Sequence, residues 1–170
     1  LKTRIYSDGL QVGRFDKEAF LSKNSSFMNI NYEDYDCIIL SDYNKGLLNE
    51  KWFLKPNTID VILDPKKKSK HLFENSNIIT PNLIELENIS GFKISDNDSI
   101  LDASNFLIKD YNFDYVVAKM GDKGIKIVGK DNFSKDIEGH LVENPDVTGA
   151  TSGFSTCLLY TSPSPRDGLL

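Results

Sequence analysis

Four short apolar runs, each stopped by a polar cluster, constrain this chain more than any other feature. They are Tyr35-Asp36-Cys37-Ile38-Ile39-Leu40 before Ser41-Asp42, Ile59-Asp60-Val61-Ile62-Leu63 before Asp64-Pro65-Lys66, Asn77-Ile78-Ile79-Thr80 before Pro81-Asn82, and Tyr115-Val116-Val117-Ala118-Lys119-Met120 before Gly121. Continuous apolar runs of this length suit parallel strands covered on both faces. Helical spacing lies between them: loosely at Leu47, Leu48, Trp52 and Phe53, then over 83–89 up to Gly91, then over 99–111 with Ile100, Leu101, Ala103, Phe106, Leu107 and Ile108 as its apolar positions. Ile125-Lys126-Ile127-Val128, after Gly121-Asp122-Lys123-Gly124, reads as a hairpin partner, and two short strands flank the turn Ser7-Asp8-Gly9. Residues 19–31 are polar and give no clear signal. The alternation predicts an α/β fold with a mostly parallel sheet flanked by helices. Ligands of such sheets sit at the carboxyl ends of the strands. There the sequence places Asp42 and Lys45, Asp64 and Lys66, Asn82 and Glu85, and Lys119 and Gly121.

Composition narrows the function. The 170 residues suit one ordinary domain, and 39% hydrophobic with 26% charged residues is too apolar for a disordered tail. With 25 acidic against 20 basic residues the net charge is -5, which argues against a general grip on nucleic acid or on an anionic membrane. Two cysteines, Cys37 and Cys157, make no disulfide framework, so a reducing, cytoplasmic setting is expected. No apolar run approaches the length of a membrane span, and no signal peptide is expected at the start. The two histidines, His71 and His140, have no partner at metal-ligand spacing. Nucleophile-elbow, Walker and dinucleotide fingerprints are absent.

Each remaining motif supports two readings. Asp146-Val147-Thr148-Gly149-Ala150 has the composition of a turn opening a helix, where free backbone N–H groups cradle an anion; it equally suits an ordinary glycine turn. Asn82 and Glu85, three apart at a helix start, suit a metal-bound water or a phosphate, or simply a helix cap. Gly121 and Gly124 read as a tight hairpin turn. Lys66-Lys67-Lys68 with Lys70 suits phosphate contact or a solvated loop. Asp42 and Lys45 suit a polar ligand or a surface ion pair.

The order of these motifs is more specific than any one of them. Lys2-Thr3-Arg4, Gln11 and Arg14-Phe15-Asp16-Lys17-Glu18 come first, then Leu40-Ser41-Asp42-Tyr43-Asn44-Lys45-Gly46 and Leu63-Asp64-Pro65-Lys66. Thr80-Pro81-Asn82-Leu83-Ile84-Glu85-Leu86, Lys119-Met120-Gly121-Asp122-Lys123-Gly124 and Asp146-Val147-Thr148-Gly149-Ala150 complete the series. This order resembles the ribokinase-like (PfkB-type) carbohydrate kinase family, and within it the branch acting on D-glycero-β-D-manno-heptose 7-phosphate. The resemblance covers about residues 1–150. It implies an ATP- and Mg²⁺-dependent transfer of phosphate to the anomeric hydroxyl of that sugar phosphate, on the route to ADP-heptose and the lipopolysaccharide inner core. Backbone amides of Gly149 and Ala150 would form the anion hole. Asp64, Lys66, Asn82, Glu85, Lys119, Gly121, Gly124 and Thr148 would line the nucleotide, with Asn82 and Glu85 acting on Mg²⁺ through water. Asp42, Lys45 and Arg14 would face the sugar. The resemblance also implies a homodimer for the intact protein. Another sugar kinase of the family, or a catalytically dead nucleotide-binding or dimerisation module, are the alternative expectations.

The sequence also departs from the family. After Thr148-Gly149-Ala150 the family carries Gly or Ser and then the catalytic Asp, whereas an ungapped reading here places Ser152 at that position. A serine is no base near neutral pH, and such a base contributes about 10²–10⁴-fold. From Cys157 to Asp167 the sequence resembles the in-frame translation of a transposon-type sequencing-library adapter, although its composition also suits a Ser/Pro linker. The chain is therefore expected to divide into a partial kinase domain, 1–150, and a non-family tail, 151–170, with 157–167 of adapter origin. Family strands that would precede Leu1 are not in the sequence. Expressed alone, this polypeptide is expected to be poorly soluble and inactive.

Overall fold

The computed structural model describes residues 2–7, 10–16, 34–44, 48, 55 and 59–139. Lys45, the expected helix around Trp52 and Phe53, the turn 146–150, Ser152 and the tail 151–170 lie outside the described residues.

A six-stranded sheet carries the fold. In spatial order it runs β3 (Cys37–Ser41), β4 (Asp60–Asp64), β5 (Ile78–Ile79), β6 (Tyr115–Lys119), β7 (Ile125–Gly129) and β8 (Ser134–Ile137). The first four are parallel, and β7 and β8 are antiparallel additions. A separate antiparallel pair, β1 (Lys2–Ser7) and β2 (Leu10–Asp16), forms the expected hairpin. The expected α/β, mostly parallel architecture is therefore the observed one.

Burial on both faces explains the continuous apolar runs. Val61, Leu63, Ile79, Val116 and Ala118 belong to a core shared with α2 (Leu83–Ser90) and α3 (Asn97–Tyr111). Ile62 and Val117, which point the other way along their strands, are buried as well. Each such valine, leucine or isoleucine contributes about 1.5–3 kcal/mol by leaving water. At the sheet edge, Ser134, Lys135, Asp136 and Ile137 of β8 are all exposed, and the charged pair blunts an otherwise open edge.

Local chemistry sets the helix ends. Asn82 caps α2 and Gly91 closes it in the left-handed region, φ 80°. Helix α3 begins two residues before the periodic pattern does. Asp96 is its cap, and Ser99, read from the sequence as the first helical residue, is instead the third residue of a capping box with Asp96. Two elements carry too little pattern to be read in advance. One is β8; the other is α1 (Lys70–Glu74), a five-residue helix that buries Leu72 and Phe73. Phe73 packs edge-on against Tyr111, with ring centres 4.9 Å apart, and against Phe113 at 5.7 Å. Among the described residues no helix is long and apolar enough to cross a membrane.

The turn after β6 is tighter than a simple hairpin. Gly121–Lys123 forms one turn of 3₁₀-helix, and Gly124 follows at φ 91°. A Cβ on Gly124 would overlap the backbone of Ile137 and Gly139, and one on Gly139 would lie 2.5 Å from the Asp122 carbonyl oxygen. The strand following the turn and the segment leaving β8 thus cross at a backbone-to-backbone approach that only glycine permits. Gly139 carries no recognisable motif in the sequence.

Candidate active site

The parallel strands β3, β4, β5 and β6 end side by side, and each end contributes a polar group. From β3 comes Asp42, 8% exposed, whose backbone N–H donates to the Asp64 carbonyl at 2.9 Å. Its carboxylate accepts the Asn44 N–H at 2.7 Å, an Asx-type turn that fixes the exit from the strand. From β4 comes Asp64. Its Oδ1 accepts the Lys119 ammonium of β6 at 2.7 Å, and the hydroxyl of Thr80, at the end of β5, lies between that oxygen at 3.4 Å and the Leu63 carbonyl at 3.5 Å. Thr80 is fully buried, and the Lys119 and Asp64 side chains are only 14% and 12% exposed. Three strand ends are thereby joined by side chains as well as by the sheet.

The second half of the cluster grows from the start of α2. Asn82 Oδ1 accepts the Glu85 N–H at 2.8 Å, and Glu85 Oε2 accepts the Asn82 N–H at 2.9 Å, a reciprocal capping box. Asn82 also forms an isolated parallel bridge with Lys119, where the Lys119 N–H donates to the Pro81 carbonyl at 2.8 Å. Lys66, just past β4, places its ammonium 3.2 Å from Glu85 Oε1. Asp42, Asp64, Lys119, Asn82, Glu85 and Lys66 therefore form one connected series.

The two lysines differ in how they are held. Lys66 is 59% exposed, and an ion pair of that kind contributes about 0–1 kcal/mol. Lys119 is shielded, so removing either member of its pair would strand a charge away from water. The basic run read from the sequence separates accordingly: Lys66 joins the cluster, while the Lys68 ammonium lies 5.8 Å over the Tyr111 ring, on the side facing α1 and α3. Gly121 and Gly124 shape the turn directly after Lys119. Burial, joined by the nearby Asp60 carboxylate, pushes the Cys37 thiol up, so it stays protonated and offers no nucleophile.

Of the expected site residues, Asp42, Asp64, Lys66, Asn82, Glu85, Lys119, Gly121 and Gly124 are placed at this edge. The backbone of Arg14 lies in β2, away from the six-stranded sheet's hydrogen bonding. Lys45, Thr148, Gly149, Ala150 and Ser152 lie outside the described residues. Thr80 is the member that sequence reasoning missed as a site residue. Its only advance signal is its position between a strand and the Pro81-Asn82 cap.

Among the described residues no group of three or more histidines, cysteines or carboxylates stands together as a metal cage. Asn82 and Glu85 supply oxygen donors, one of them charged. That set fits Mg²⁺, which keeps several waters and is commonly shared with substrate phosphates.

The family model for phosphomethylpyrimidine kinase matches residues 59–162, more than half of the chain. The chain belongs to this kinase family. Its fold is that of ribokinase: the Thermotoga maritima ribokinase superposes with a TM-score of 0.59 at 20% identity, over 79% of this chain and 48% of that one. The Arabidopsis thaliana ribokinase, solved with ribose and ATP, gives 0.54 at 21% identity, over 64% of this chain and 37% of that one. In sequence, the bifunctional protein HldE of Helicobacter hepaticus is 32% identical over 179 residues, covering 98% of this chain and 37% of the relative. HldE of Syntrophotalea carbinolica is 29% identical over 162 residues, covering 88% and 33%. The chain thus spans about a third of the length of these relatives. The expected membership of the ribokinase-like family stands, and with it a phosphotransferase class.

Proposed function

We propose that this chain is part of an ATP-dependent sugar-phosphate kinase that phosphorylates the anomeric hydroxyl of D-glycero-D-manno-heptose 7-phosphate in the cytoplasm, on the route to ADP-heptose and the lipopolysaccharide core. The observation that carries the reading is the connected series Asp64, Lys66, Asn82, Glu85 and Lys119 at the carboxyl edge of the parallel sheet. Its likeness to HldE proteins supports the choice of sugar.

In this reading Lys66, Lys119 and the turn through Gly121 and Gly124 face the nucleotide phosphates, where cations offset charge on the transferring group. Asn82 and Glu85 act through water on Mg²⁺, which when bound would neutralise charge on the β- and γ-phosphates. Asp42, with Lys45 and Arg14, orients the sugar phosphate. Amides of Gly149 and Ala150, beside Thr148, receive charge developing in transfer. Ser152 favours a second reading, a catalytically dead nucleotide-binding module, because a serine cannot take the proton from the attacking hydroxyl.

The test is ³¹P NMR of the full-length protein with ATP, Mg²⁺ and the heptose 7-phosphate. Ser152→Asp should raise formation of the 1,7-bisphosphate by about 10²-fold or more, the contribution of a general base. Equal rates with and without the substitution, or faster phosphorylation of ribose or fructose 6-phosphate, would contradict the sugar-kinase assignment made here.

A further inference from the structure

The two lysines of the site are each matched to a carboxylate, and the two pairs are built differently. Lys119 reaches Asp64 at 2.7 Å in a shielded position, beside the buried Thr80 hydroxyl. Lys66 reaches Glu85 at 3.2 Å from an ammonium largely in water. The Glu85 side chain is itself only 11% exposed, and its other oxygen is committed to the Asn82 N–H. Withdrawing Lys119 would leave Asp64 shielded without its cation. Withdrawing Lys66 exchanges a solvated pair for water.

We infer that Lys66 is a partner-exchanging cation, which leaves Glu85 Oε1 for the phosphates of an incoming nucleoside triphosphate, while the pair with Asp64 keeps Lys119 fixed. The inference rests on the nucleotide-site reading above and assigns roles within it. The exchange frees one oxygen of Glu85 as the polyphosphate arrives, so the carboxylate that held the cation becomes available to the hydrated metal side of the ligand. The capping bond from Glu85 Oε2 to Asn82 is untouched, so α2 keeps its start during the exchange.

The experiment is calorimetric titration of the full-length protein with AMP-PNP, first without divalent cation, alongside thermal melts. Lys66→Gln should weaken binding about tenfold, the loss of one charge-assisted hydrogen bond, with the melting temperature unchanged and Lys66→Arg restoring affinity. Glu85→Gln, which can still cap Asn82, should tighten divalent-free binding by removing the competitor for Lys66. A role confined to helix capping would leave that affinity unchanged. Unchanged affinity in Lys66→Gln, or weaker divalent-free binding in Glu85→Gln, overturns the exchange while leaving the nucleotide site intact. No binding by the unsubstituted protein overturns the nucleotide site itself.

Discussion

The two edges of the parallel sheet carry the same chemistry at the same distance. At the carboxyl edge Lys119 meets Asp64 at 2.7 Å; at the amino edge Lys130 meets Asp114 at 2.7 Å. Only their surroundings differ. The first pair is 14% and 12% exposed, lies beside the Thr80 hydroxyl, and continues into the Asn82 and Glu85 cap. The second is 41% exposed on both sides and borders an open cavity of about 290 Å³ lined by Asp60, Asn77, Ile78, Tyr115 and Asp131. Around it the hydrogen bonds are structural. Asn77 donates its side-chain amide to Asp114, accepts the Val61 N–H on its side-chain oxygen, and accepts the Asp114 N–H on its carbonyl, tying β4, β5 and β6 at their starts. One edge is tied by backbone and amide hydrogen bonds beside a solvated ion pair; the other is tied by a shielded ion pair that continues into the start of α2. An ion pair's distance says little about its role, whereas shielding and connectivity say a good deal.

Substitution at the two pairs should separate them. Lys119→Met leaves Asp64 shielded and without its cation, and should cost on the order of 3 kcal/mol by chemical denaturation. Lys130→Met should cost at most about 1 kcal/mol, since its partner stays solvated. Similar losses at both sites would erase the distinction drawn here. The smallest effect is with pH. Burial raises the Asp114 carboxyl, but hydrogen bonds from Lys130 and Asn77, with the charge of Lys130, outweigh it and hold the group below its ordinary value. A depressed carboxylate stabilises the fold above its unfolded-state value, about 3.9, and loses that contribution as pH falls through its lower folded value. Thermal melts between about pH 5 and pH 2, where carboxylates titrate, should show a slightly smaller acid loss in Asn77→Ala than in the parent. An equal or larger loss would place the titrating group elsewhere.

Most of the parallel sheet was legible because its inner strands are buried on both faces, which writes a continuous apolar run into the sequence at Val61–Leu63 and Val116–Ala118; the outer strand β3 carries such a run at Ile38–Leu40 although only Leu40 of it is fully buried. The polar stops after those runs located the carboxyl edge. The pairing across it was not legible. Asp64 and Lys119 are 55 positions apart, and their contact depends on strand order and register, which no local pattern encodes. Thr80 was invisible as a site residue for the same reason. Asn82 and Glu85 read from the sequence either as a cap or as ligands; the structure displays the cap, with Lys66 paired to Glu85. Helix α1 is too short for a period, β8 is exposed on every residue, and Gly139 earns its place only from a crossing made by distant backbone.

Hydrogen–deuterium exchange of the full-length protein with and without AMP-PNP tests the central assignment most directly. The nucleotide should slow exchange at 64–68, 80–85 and 119–124, the three segments of the carboxyl edge, and leave 60, 77, 114–115 and 130–131 unchanged. Protection confined to the amino edge, or none at either, would contradict the assignment of the nucleotide site to the ends of β4, β5 and β6.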